Sequence, residues 1–170
     1  LLQVQARNTL QAGSDVDTPN NGGTTPLIQA ADNGHTPIVT LLTQLGANVN
    51  HQNDDGWTGL CLASANGREE TVRVLLSAGA DPNIGKKGDG HNSLMVACIN
   101  GHDEVVRTLL RTGAEVNAAN HEGWTAIFGA CENDRIGSNA CVRALIEAGA
   151  QVANTKEDGS TPLHAAAAHG

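Results

Sequence analysis

Gly23-Thr24-Thr25-Pro26-Leu27-Ile28-Gln29-Ala30-Ala31-Asp32-Asn33-Gly34-His35 returns along the chain in recognisable form, and its period decides the fold. Leu27 has counterparts at Leu60, Leu94, Ile127 and Leu163, spaced by 33, 34, 33 and 36 residues. A second marker keeps the same step: Gly13-Ser14, Gly46-Ala47, Gly79-Ala80, Gly113-Ala114 and Gly149-Ala150. A fixed period of this length means stacked supersecondary units, none able to bury its apolar face alone.

The second unit shows how one repeat is built. Thr58 is placed as an N-cap, its hydroxyl free to accept an orphan N–H of the helix that follows. Leu60, Ala63 and Ser64 share one face at i, i+3, i+4 spacing, and Asn66-Gly67 ends the helix. Glu69 and Glu70 open a second helix, where their charges suit the positive end of its dipole. Its inward residues are Val72, Leu75 and Leu76, and Ala78-Gly79 closes it. A polar stretch from Asp81-Pro82-Asn83 to Asp89 then reaches the next unit as a turn-rich finger. The third unit uses Asn92 as its cap. The fourth carries three extra residues around Asp134-Arg135-Ile136, between its two helices. Alanines 30, 63, 97, 130 and 166 are the small residues that let neighbouring first helices approach closely.

With this period, and with Thr161-Pro162-Leu163-His164-Ala165-Ala166, the chain resembles the ankyrin repeat family from about Ala12 to Gly170. The resemblance implies an all-α solenoid of paired antiparallel helices with protruding β-hairpin-like fingers. Residues 1–170 are read as one domain. Full repeats are expected over 22–54, 55–88, 89–121 and 122–156, with partial units at 1–21 and 157–170. Residues 1–11 are expected to be the second helix of a preceding unit. The start at Leu1, and the Ala-rich face of 165–168 where a polar cap is usual, suggest a piece of something longer.

The formal net charge is −8. That balance disfavours nucleic acid, whose phosphates demand Lys and Arg, and anionic membranes. No apolar run approaches the ~20 residues of a membrane helix. Cys61, Cys98, Cys131 and Cys141 form no C-x-x-C pair. Cys98 and Cys131 hold equivalent slots in adjacent repeats, ~8–10 Å apart, beyond the roughly 7 Å a disulfide tolerates. Buried thiols in a reducing compartment, cytosol or nucleus, are expected.

Catalytic and metal chemistry find little support. His51 and His121 lie in fingers at non-equivalent positions, with no second His at metal-ligand spacing. By resemblance, His35 and His102 bridge loops, and His164 bonds Thr161. Gly85-Lys86-Lys87-Gly88-Asp89-Gly90 lacks the order and helix start of a phosphate loop. Asp15-Val16-Asp17 with Asn20-Asn21-Gly22 lacks the closing Glu of a calcium loop. No enzyme activity, metal or cofactor is expected.

The family resemblance also implies that the residue after each finger glycine faces a concave groove. That row reads Thr24, Trp57, His91, Trp124, Ser160, so both tryptophans occupy a partner-facing slot. Tryptophan dominates interface hot spots; the competing reading is packing across the adjacent finger. Asp54, Asp55, Asp89, Glu122, Glu157 and Asp158 charge the fingers against Lys86, Lys87 and Lys156. Asp32 and Glu132 lie at first-helix ends near the same groove. Arg73, Arg107 and Arg143 share one slot on the second helices, at the back. The partner expected is a protein or peptide carrying Lys or Arg beside an apolar anchor, bound by a chain that is monomeric by itself. The alternative is the targeting or regulatory arm of a larger enzyme or channel. A methyl-lysine cage fails on distance: Trp57 and Trp124 are two repeats apart, ~16–20 Å, and a cage needs rings within about 6 Å. Finally, Leu109-x5-Glu115-Val116-Asn117, and more weakly Leu42-x5-Asn48-Val49-Asn50, resemble the motif accepted by asparaginyl hydroxylases. Asn117 and Asn50 are thus candidate modification sites, against a structural role for their amides.

Overall fold

A computed structural model describes residues 15–132, 137–156 and 158–169. Among these residues the chain forms helices and turns, with one isolated antiparallel bridge, Ala119 to Thr125. The first helices of the repeats are α1 (Pro26–Asp32), α3 (Gly59–Ala65), α5 (Ser93–Asn100), α7 (Ala126–Cys131) and α9 (Pro162–His169). The second helices are α2 (Thr36–Gln44), α4 (Glu69–Ser77), α6 (Asp103–Arg111) and α8 (Ser138–Glu147). Odd-numbered helices pack in chain order as one layer, even-numbered helices as another, and each pair packs across. The expected preceding helix at 1–11, the insertion at Asp134-Arg135-Ile136 and the finger residue Glu157 lie outside the described residues.

Local rules set each helix start. Thr25 accepts from the N–H of Ile28, Thr58 from Cys61 and Asn92 from Met95. Thr125 occupies the same slot, yet its hydroxyl makes no cap bond and is buried without a partner. Thr161 likewise accepts from the N–H of His164, and its Oγ1 also lies 2.8 Å from His164 Nδ1.

The layers meet on small and branched residues. Ala30, Ala63, Ala97 and Ala130 are at most 4% exposed, which is what permits first helices to stack closely. Leu27, Leu60, Leu94 and Ile127 are each covered by the following first helix. Leu163 holds their slot on α9 but is 76% exposed, because no described helix lies beyond it. Cys61, Cys98 and Cys141 are buried. The thiol neighbouring Cys98 is Cys141, not its slot-mate Cys131 alone, and burial pushes the Cys98 thiol up.

Between repeats runs a ladder of side-chain amides. Asn50 donates to the carbonyl of Gly79 and accepts from the N–H of Asp81. Asn83 does the same with Gly113 and Glu115, and Asn117 with Gly149 and Gln151. At the head of the series, Asp17 accepts the N–H of Asn48 with both carboxylate oxygens. Each amide thus satisfies two backbone groups at the end of the next second helix, where orphan carbonyls need partners.

Candidate functional site

Each finger turns back on one backbone bond. Asn20 to Thr24, Asn53 to Trp57, Lys86 to His91, Asn120 to Trp124 and Lys156 to Ser160 form five equivalent closures. The glycine before the row residue takes φ of +71° to +85° in all five, a region that side chains with a Cβ rarely enter. At Gly56 a Cβ would also collide with the backbone of Lys87 in the next finger. Fingers are therefore laid against one another. His51 Nε2 lies 3.0 Å from the Gly23 carbonyl, Gln52 donates to that of Gly85, and His121 Nδ1 lies 2.9 Å from that of Gly88. These two finger histidines are stitches, as is His102, whose Nε2 lies 3.0 Å from the Ala65 carbonyl.

Along the row the structure joins residues that the sequence left separate. Lys86 Nζ sits 4.8 Å above the Trp57 ring and 3.0 Å from Asp89 Oδ2. His91 Nδ1 lies 3.1 Å from Asp89 Oδ1, off the hydrogen-bond direction, and is otherwise buried without a partner. The His91 ring tilts against Trp124 with centroids 5.1 Å apart. Trp124 Nε1 donates to Glu132 Oε2 at 3.4 Å. Glu132 Oε1 in turn holds Lys156 at 2.6 Å, and that ammonium lies 4.9 Å over Phe128. One continuous strip of alternating rings and charges thus runs across three repeats.

Two expectations are corrected by this strip. Trp124 does not stand outward; it is 6% exposed. Its indole lies on Gly129, the residue of α7 whose missing Cβ leaves room for it. Trp57, in the same slot, remains half-buried with a cation over its face. Nor are Asp89 and Glu132 free anions, since Lys86 and Lys156 neutralise them. Burial opposes ionisation of Asp89, but the His91 backbone N–H, the Lys86 ammonium and the His91 ring outweigh it, bringing the carboxyl down to about 2. Asp32 accepts from the Asn66 amide at 2.8 Å. Asp54, Asp55 and Glu122 are exposed at the finger tips, and none of them forms an ion pair with a described residue.

Lys86, Lys156 and Phe128 are members of the strip that sequence reasoning did not assign to it. Lys86 and Asp89 flank one short turn, a local signal for pairing. Lys156 and Glu132 are 24 residues apart and leave none. Among the described residues no group of three or more His, Cys, Asp or Glu is placed to hold a metal, and no helix is long and apolar enough to cross a membrane.

A two-layer stack of helix pairs, with fingers laid edge to edge, is a solenoid that presents a continuous side surface rather than an enclosed pocket. The family description "Ankyrin repeats (3 copies)" matches residues 4–86 and 94–170, and the chain belongs to the ankyrin repeat family. Members of this family are in general protein–protein interaction modules built on a non-catalytic fold. No curated protein matches the chain.

Proposed function

We propose that this chain recognises a partner protein or peptide through its finger row, the partner offering Lys or Arg beside an apolar anchor. The observation carrying this reading is the setting of Trp57: a half-buried indole on a finger stitched to both neighbours. A large ring held in place before binding loses little freedom on contact. The exposed carboxylates of Asp54, Asp55 and Glu122 supply the anionic rim, a narrower set than the sequence suggested. His91 contributes its half-buried edge, Trp124 supports it from beneath, and the carboxylates of Asp89 and Glu132 fix Lys86 and Lys156. We place the chain in a reducing compartment, cytosol or nucleus; the packing of Cys61, Cys98 and Cys141 as core thiols supports this.

The test is affinity capture from cell extract with the wild-type chain, followed by direct titration of the captured partner. Trp57→Ala should weaken binding by about 1–2 kcal/mol or more while helical circular dichroism is retained. Asp54→Asn with Asp55→Asn should weaken it further and flatten its salt dependence. Normal binding by both variants would remove the finger row as the recognition surface.

A further inference from the structure

The even-numbered helices form the back of the solenoid, away from the finger strip. Between α6 and α8 lies a cleft of about 350 Å³, at the lower end of ligand-sized clefts. Leu110, Ala144 and Ala148 supply its apolar lining, with Arg107 and Arg111 from α6 and Glu147 from α8 as its charged lining. Arg143 stands on the outer face of α8 in the slot that Arg107 holds on α6.

The charges here are unmatched. Arg73, in the same slot one repeat earlier, is paired with Glu69. Arg107, Arg111 and Arg143 have no carboxylate within ion-pair distance among the described residues, although Asp103 and Glu104 share α6 with two of them. Among the described residues Arg111 donates to the Arg107 carbonyl and the Thr108 hydroxyl, and Arg143 to the Asn139 carbonyl. A guanidinium has five donors in a planar fork suited to carboxylates, so most of this capacity is unused. In a chain of net charge −8, Arg107 and Arg111 thus bring two guanidinium groups without an ion-pair partner among the described residues to one apolar cleft, with Glu147 as the carboxylate in its lining.

We propose that this cleft is a second docking site, separate from the finger row, for an extended acidic peptide segment of another protein. Arg107 and Arg111 are one helical turn apart, ~5–6 Å. Alternate residues of an extended strand project on one side at ~6.6–7 Å intervals. Two carboxylates at alternate positions therefore meet both guanidinium groups, and an apolar side chain on that same side, two positions further on, enters over Leu110, Ala144 and Ala148. Glu147 limits how many anionic groups the cleft accepts, and the net charge of −8 opposes the long run of phosphates that a nucleic acid brings.

The probe is a short fluorescein-labelled peptide of sequence Glu-Ser-Glu-Ser-Leu, which puts both glutamates and the leucine on one side when extended, read by fluorescence anisotropy. Binding is expected to weaken at least about tenfold in Arg107→Ala with Arg111→Ala, and to be unchanged in Lys87→Ala, a finger lysine. Both arginine side chains reach the surface, and circular dichroism checks the fold. In Arg107→Glu with Arg111→Glu, preference should pass to the matching lysine and leucine peptide. The proposal is overturned by absence of binding, by equal binding of the glutamine version, by indifference to the arginine substitutions, or by tighter binding of single-stranded RNA.

Discussion

Trp124→Ala should damage the fold rather than the recognition surface. The indole is 6% exposed and rests on Gly129 of α7. A tryptophan buries roughly 150–250 Å², which at about 25 cal/mol per Å² corresponds to ~4–6 kcal/mol. Residual burial in the denatured chain and the retained alanine lower that figure. Truncations of buried aromatic residues cost about 3–5 kcal/mol, and this is the expected loss; the long bond to Glu132 adds little. With a urea slope of ~1–3 kcal/mol per M, the unfolding midpoint of the fourth repeat should fall by about 2 M. Solenoid units depend on their neighbours, so circular dichroism should show early partial loss. Fluorescence of the remaining Trp57, in the second repeat, should change later. Gly129→Ala is the companion: alanine improves helix propensity by ~1 kcal/mol, yet its Cβ would meet the Trp124 ring, and Ile99 Cγ1 at 2.9 Å. Overpacking of that kind costs about 1–3 kcal/mol, so the change should destabilise the wild-type chain and be better tolerated in Trp124→Ala. A midpoint for Trp124→Ala within about 0.5 M of wild type would refute the packing role of the indole.

Two further outcomes are expected. Asp89 has a folded value of about 2, below its ordinary ~3.9, so its stabilisation is complete above about pH 4 and is lost as pH falls toward 2; thermal midpoints of Asp89→Asn should fall less steeply through that window than those of wild type, and parallel curves would contradict it. Incubation with an asparaginyl hydroxylase should add one oxygen at Asn117 before Asn50 by intact and peptide mass, and no gain at either residue ends that hypothesis.

The helices and their inward faces were legible because each is set by neighbours in sequence. Thr58 capped its helix as read, and Val72 and Leu75 turned inward, on spacing alone. The slot after each finger glycine was legible as a row but not as an exposure. Trp57 and Trp124 share that slot, and what separates them is the glycine at 129 and the His91 ring against Trp124. Thr125 shows the same limit, sitting in a capping slot without making the bond. The charge pattern misled for a related reason. Counting carboxylates gave an acidic groove, whereas the Lys156–Glu132 pair depends on how the chain after α8 folds back beside the end of α7. Arg107 and Arg143 were legible as a repeated slot; the cleft between their helices was not, because it is made by packing.

The ladder of asparagines has a consequence for how such a chain changes length. Each rung reaches only from one unit to the next, and its reach is the same at Asn50, Asn83 and Asn117. A whole unit can therefore be inserted or removed in register, and the flanking units still meet a partner of the kind they had before. Length becomes a variable that selection or a designer can adjust without redesigning the joints. The row of finger residues is the part that changes meaning, because it is read across units and every shift gives each side chain new neighbours.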